Sequence, residues 1–153
     1  MEYSAADRAH MDRAVALAQA ASEVGEVPVG AVVVLDGVVI GEAGNAPIAR
    51  HDPTAHAEIL AIRAACERQA NYRLPGSTLY VTLEPCTMCA AAIANARIAR
   101  VVYGASDPKG GAVESGVRFF DQPTCHHRPE VVSGLQSETS SDMLRSFFRA
   151  RRK

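Results

Sequence analysis

Apolar and polar positions change period several times along this chain, and each change marks a structural element. Over residues 7–24 apolar side chains recur at Met11, Ala14, Val15, Ala18 and Ala21, the three-and-four spacing of one helical face. Residues 29–35 and 38–42 are instead β-branched and aliphatic runs flanking Asp36-Gly37, which predicts a hairpin closed by a tight primed turn. Pro53-Thr54 precedes an alanine-rich stretch, 55–70, with strong helix propensity. Residues 77–83 read as a strand from their β-branched and aromatic content, ended by Glu84-Pro85, and 86–96 return to helix-forming alanines. A short strand over 100–103, a loop around Gly110-Gly111, a fifth strand over 130–133 and a last helix over 140–152 complete the pattern. Helices alternating with strands predict an α/β fold, a sheet covered on its faces, with at least the opening pair antiparallel.

Composition narrows this picture. The chain has 153 residues and no internal repeat, so one domain over 1–153 is expected. Its 48% hydrophobic and 22% charged content is ordinary for a globular core. A formal charge of −1 supplies no global pull towards nucleic acid, so any such partner must meet a local basic patch. The first twenty residues lack the continuous apolar stretch of a signal peptide. The longest apolar run, 27–35, is interrupted by Pro28 and Gly30 and falls far short of the ~20 residues that span a bilayer. Four cysteines without an export signal point to metal ligands or free thiols, and to the cytoplasm.

Two short segments carry the chemistry: His56-Ala57-Glu58 and Pro85-Cys86-Thr87-Met88-Cys89, each at the start of an expected helix. Cysteines three apart on a helix lie on one face and can reach one ion. The positive end of the helix dipole favours their thiolate form. With His56 as a third ligand, a tetrahedral zinc keeps its fourth position for water, the pattern of a catalytic site. One neutral imidazole and two thiolates cancel the charge of the ion, so water held there is less acidified than in a three-histidine site. A neighbouring base then matters, and Glu58 is the candidate. On an ideal helix Glu58 points about 200° away from His56, awkward for a second ligand but suited to a lateral approach. The blander readings fit less well. A zinc ribbon needs a second cysteine pair, whereas Cys66 and Cys125 stand alone, and a redox dithiol does not call for His-Ala-Glu upstream. The H-x-E and P-C-x-x-C pair is the signature of zinc nucleobase deaminases.

On these residues the chain resembles the bacterial tRNA-specific adenosine deaminases, the tRNA branch of the cytidine deaminase-like superfamily. The matching stretches are residues 26–31, 51–58, 71–74, 79–89 and 97–105. The tRNA branch is suggested by Asn71-Tyr72-Arg73-Leu74, by Asp107-Pro108-Lys109 and by the ending Phe147-Phe148-Arg149-Ala150-Arg151-Arg152. The resemblance implies a three-layer α/β/α sandwich with a mixed five-stranded sheet and one zinc ion per chain, held by His56, Cys86 and Cys89. It implies conversion of the wobble adenosine of a tRNA anticodon stem-loop to inosine, with Glu58 moving the protons. It also implies base contacts from Val29, Asn45 and the backbone of Ala57, RNA contacts that include Asp107, Lys109, Phe147 and Arg149, and a homodimer. Two departures stand out: Ala46 replaces an arginine of several relatives, and the chain stops at Lys153 without a longer basic tail.

Residues 145–153 hold Arg145, Arg149, Arg151, Arg152 and Lys153, no acidic side chain, and Phe147 and Phe148 between them. Such a segment can bind phosphates while a ring packs on a base. Basic residues also suit a helix C-terminus on dipole grounds alone, with one phenylalanine in the core. An anticodon-loop adenosine can be splayed into a pocket at a cost of a few kcal/mol, so a modest positive surface suffices. The alternatives are a deaminase of a free base or nucleoside such as guanine, cytosine or cytidine, and a non-catalytic zinc-stabilised RNA-binding module. Of the other residues, His51 is expected to shape the turn before His56, and His10 to lie on the outer face of the first helix. His126 and His127 are expected in a solvated or RNA-facing loop.

Overall fold

The computed structural model describes residues 3–151. Helix α1 (Ala5–Glu23) starts at Ser4, whose side chain accepts the Asp7 N–H while Asp7 reaches back to the Ser4 N–H, a capping box. Its buried positions, Asp7, Met11, Ala14, Ala18 and Ala21, follow the apolar spacing of the sequence. Strands β1 (Gly30–Leu35) and β2 (Val38–Gly44) form the hairpin, and both turn residues have positive φ (50° at Asp36, 77° at Gly37). This is the backbone of a primed turn, matched to strand twist. A short helix α2 (Pro47–Arg50) follows, then α3 (Ala57–Gln69), β3 (Thr78–Leu83), α4 (Thr87–Asn95), β4 (Arg100–Ala105), β5 (Glu130–Ser133) and α5 (Ser137–Arg151). A one-turn 3₁₀ segment, Phe119–Asp121, lies between β4 and β5.

The five strands form one mixed sheet in the order β2-β1-β3-β4-β5. Pairs β2–β1 and β1–β3 are antiparallel; β3–β4 and β4–β5 are parallel. Alternation along each strand splits the core in two. Ala31, Val33, Leu79, Val81, Val101 and Tyr103 face α3 and α4, where they meet Ala61, Ala65 and Ile93. Val32, Val34, Tyr80, Val102 and Val132 face the opposite side, where Met11 and Ala14 of α1 cover them; α5 packs on β4 and β3. The result is the expected three-layer α/β/α sandwich. Small residues set the layer spacing. A Cβ on Gly30 would stand 2.0 Å from the Ala14 carbonyl oxygen, and one on Gly41 would stand 2.3 Å from that of Ala61. Each helix backbone therefore rests directly on a strand.

Several expectations shift in detail. Strand β4 runs two residues further, α3 begins at Ala57, and α5 begins three residues earlier than the apolar pattern suggests. His10 is half-buried, its ring 5.2 Å from that of Tyr80, so it does not lie on the outer face of α1. His127 is half-buried and hydrogen-bonded through Nε2 to the Ile98 carbonyl at 2.7 Å, which ties it to the fold; His126 is exposed as expected. His51 has φ 50° at the C-terminus of α2, the turn role anticipated for it. Arg152 and Lys153 lie outside the described residues, and no described helix is long and apolar enough to cross a membrane.

Candidate active site

His56 and Cys86 are the N-cap residues of α3 and α4. Both have extended backbones (φ −70°, ψ 152° and φ −75°, ψ 177°), and neither side chain caps its own helix. An N-cap side chain folds towards the third helical residue, which for α4 is Cys89. His56, Cys86 and Cys89 thereby converge, with one ligand atom of each inside a 4.8 Å cluster. His56 Nδ1 lies 3.7 Å from Cys86 Sγ and 3.5 Å from Cys89 Sγ. Tetrahedral zinc bonds of ~2.05 Å to nitrogen and ~2.3 Å to sulfur would set the N–S separation at about 3.6 Å. The donor set and its spacing both fit that ion.

The electrostatics favour a cation. Hydrogen bonding from the Cys89 thiol, and then from His56, holds the Cys86 thiol down to about 4, so its sulfur is a thiolate at neutral pH. Cys89 moves the opposite way, raised by sharing its proton with Cys86 and by burial. His56 is raised, chiefly by its bond to Cys86. Glu58, 4% exposed, is pushed up to about 7, mainly by burial. It stays outside the three-donor cluster, as its helical angle predicts.

These groups open into a cleft of about 310 Å³. Val29, Asn45, Asp107 and Gly110 line it beside His56, Glu58, Glu84 and Cys86, with Val27 and Leu83 supplying apolar surface. Asn45 Oδ1 accepts the Ala57 N–H at 2.7 Å, satisfying a free donor at the start of α3. Ala57 itself is fully buried. The Ala57 N–H, expected among the base contacts, anchors Asn45 in this structure. Asp107 Oδ1 accepts the Lys109 and Gly110 N–H groups, while Lys109 is exposed and outside the cleft lining.

The C-terminal residues divide. Phe147 is buried, edge-on to Phe148, with the Arg151 guanidinium 3.7 Å from its ring centroid. Its ring packs beside Phe148 and Arg151 and also lines a separate groove of about 370 Å³ with Gln19, Ser22 and Met143. Phe148 is 44% exposed and, with Arg145, lines a groove of about 380 Å³ that shares Val27, Leu83 and Asp107 with the cleft. Arg149 is exposed outside both lining sets.

Two buried carboxylates escaped the sequence reading. Glu26 accepts the Ile48 and Ala49 N–H groups at 3.2 and 2.8 Å, fixing the turn beside Asn45. Glu84 accepts N–H bonds from Asp107, Val113, Glu114 and Ser115. Glu84 follows a strand and precedes the cysteine motif, so it read as a strand terminator. Only the distant loop that supplies its donors reveals its role.

Comparison with known proteins agrees with this geometry. The MafB19-like deaminase family matches residues 5–152. A tRNA-specific adenosine deaminase of Agrobacterium fabrum is 62% identical over 148 residues, covering 96% of this chain and 97% of that protein. A solved structure from work on A-to-I editing by tRNA:A34 deaminases at the wobble position of transfer RNA superposes with a TM-score of 0.88 at 62% identity, covering 89% of this chain and 99% of that one. A guanine deaminase from Bacillus subtilis is further away, with a TM-score of 0.65 and 34% identity over 100% and 98% of the two chains. The chain belongs to the MafB19-like deaminase family and, within it, to the tRNA-specific adenosine deaminases.

Proposed function

We propose that this enzyme deaminates the wobble adenosine of a tRNA anticodon to inosine, releasing ammonia, with one zinc ion per chain held by His56, Cys86 and Cys89. The observation that carries the reading is the convergence of those three donors beside a buried carboxyl, in a cleft large enough for a purine. A zinc held by these three residues would supply Lewis-acid activation of water. Glu58 would take one proton from the attacking water and give it to the ring nitrogen next to the amine-bearing carbon. It would then carry the second water proton to the amine, so that the C–N bond breaks and ammonia leaves. Burial suits this shuttle, because a carboxyl near 7 both accepts and releases protons at neutral pH.

Asn45 Oδ1 is held by the protein, which leaves its amide N–H groups to bind an acceptor on the base, and Val29 packs against the ring. The adjoining groove, with exposed Phe148 and Arg145, offers a ring and a charge to a neighbouring nucleotide. Lys109 and Arg149 reach the RNA backbone outside the cleft. Residues 1–153 act as one deaminase domain, and the enzyme works as a cytoplasmic homodimer, which sedimentation of the zinc-loaded protein tests. The deciding assay incubates the enzyme with an anticodon stem-loop carrying a wobble adenosine and, separately, with free bases and nucleosides. Inosine formed in the stem-loop supports the reading; deamination of free compounds alone overturns it.

A further inference from the structure

Loop 106–116 forms one wall of the cleft through Asp107 and Gly110, and it contains no helix or strand of its own. Besides the bonds that Glu114 receives from Tyr103 and Ser106, one buried side chain gathers most of its backbone donors. Glu84 Oε1 accepts the Asp107 N–H at 2.8 Å and the Ser115 hydroxyl at 3.0 Å. Its Oε2 accepts the N–H groups of Val113, Glu114 and Ser115 at 3.0, 2.9 and 2.9 Å. Every one of these donors is uncharged, and the carboxylate is 2% exposed. Both lone-pair sets are therefore used on the loop, and hydrogen bonds to an ionised acceptor are roughly twice as strong as neutral ones.

The fit is close from the loop side too. A Cβ on Gly111 would stand 2.4 Å from Glu84 Cδ and 2.5 Å from Oε1. The restraint then passes outward, since Asp107 Oδ1 accepts the N–H groups of Lys109 and Gly110. On its own chain Glu84 stands two residues before Cys86, and the Pro85 carbonyl accepts the Ala112 N–H at 2.9 Å. One carboxylate thus joins the loop that forms a substrate wall to the segment that delivers the cysteines.

We propose that Glu84 is a positioning residue for substrate binding, fixing loop 106–116 in the conformation in which Asp107 and Gly110 form the cleft wall. The proposal rests on the deaminase reading above only for its choice of substrate. Without the carboxylate the loop samples other conformations, and substrate binding bears the cost of ordering it. Such a loss raises KM more than it lowers kcat.

The test uses zinc-loaded Glu84→Gln, Gly111→Ala and their double variant. Gly111→Ala crowds the same contact from the loop and guards against a failure of Glu84→Gln to fold. The expected result has two parts. Amide exchange at Asp107, Val113, Glu114 and Ser115 accelerates, and KM for the stem-loop rises about tenfold or more while kcat per zinc-loaded site falls less than about threefold. The double variant should resemble either single one. Unchanged amide exchange would overturn the proposal, as would faster exchange with KM unaltered. A loss confined to kcat and zinc content would also overturn it, because the residue would then act only on the metal. If the parent enzyme leaves the stem-loop untouched, the RNA reading fails by itself. KM is then measured on whichever base or nucleoside the parent accepts, and the same outcomes decide the role of Glu84.

Discussion

Glu58→Gln separates what this carboxyl contributes to chemistry from what it costs the fold. The substitution keeps side-chain volume, so packing at the start of α3 is preserved, but the amide cannot carry a proton to and fro. Turnover should fall about 10²-fold or more, with zinc content unchanged. The stability effect has the opposite sign and a calculable size. In the folded protein burial raises the Glu58 pKa from 4.5 to about 7. Below pH 4.5 both states hold the proton, and the group costs nothing. Between the two values the unfolded chain alone releases it, so stability declines as pH rises; above 7 the full difference is present. At ~1.4 kcal/mol per unit, that difference comes to about 3 kcal/mol. Chelator-treated parent and variant, unfolded in urea at pH 4 and pH 8, should therefore be equally stable at the lower pH. At the higher one the variant should be more stable by about 3 kcal/mol. A parent as stable as the variant at pH 8 would refute the claim that burial, only partly offset by its own N–H, His56 and Cys89, sets the proton affinity of Glu58.

Other substitutions probe other parts of the molecule. Cys89→Ser should lose both metal and activity; zinc per chain equal to the parent's would remove Cys89 from the ligand set. Asp7 accepts two bonds from Arg100 and one from Tyr80, and the guanidinium holds its carboxyl well below the usual range. Asp7→Asn should therefore destabilise by about 3 kcal/mol, as for a broken buried ion pair. That deficit should be full above the unfolded value near 3.8 and should shrink as pH falls further, when the parent carboxylate is itself protonated; denaturant midpoints across pH 2–7 check this. Phe147→Ala should lower stability by about 3 kcal/mol, whereas Phe148→Ala should shift it by less than about 0.5 kcal/mol and act instead on stem-loop KM.

The fold was legible because its elements announce themselves locally. The near-continuous apolar runs of β1, β3 and β4 follow from burial on both faces of the sheet, the three-and-four spacing in α1 from burial on one, and Asp36-Gly37 is one of the few pairs that tolerate two positive φ values. The convergence of His56, Cys86 and Cys89 was legible for a related reason. Each of these side chains sits at a helix start, where short-range spacing fixes direction: Cys86 and Cys89 are N-cap and third residue of one helix, His56 the N-cap of another. What stayed hidden depends on partners far along the chain. Glu84 meets donors 23 to 31 residues away, and Glu26 meets donors 22 and 23 residues away. Phe147 and Phe148 are neighbours in one basic run, and only the packing of α5 against α1 decides which ring is buried. Periodicity cannot settle an end-of-chain helix whose contacts are all tertiary.

Glu58 and Glu84 make the general point sharper. Both are glutamates within 4% exposure, both border the same cleft, and burial alone raises the proton affinity of each. Glu84 nonetheless ends below its ordinary value, because backbone N–H bonds from Asp107, Val113 and Ser115 outweigh its desolvation. Glu58 lacks such a set of donors and ends near neutrality. The same residue type is thus held as an anion in one position and left near neutrality in the other, through the balance of desolvation against the donors aimed at it. An ionised, fully bonded carboxylate makes a rigid anchor precisely where chemistry is not wanted, whereas an under-bonded one is mobile in its proton. Two buried acids can therefore sit beside one cluster of metal-binding donors: only Glu58 lies near neutrality, while Glu84 is held as an anion by the loop it bonds.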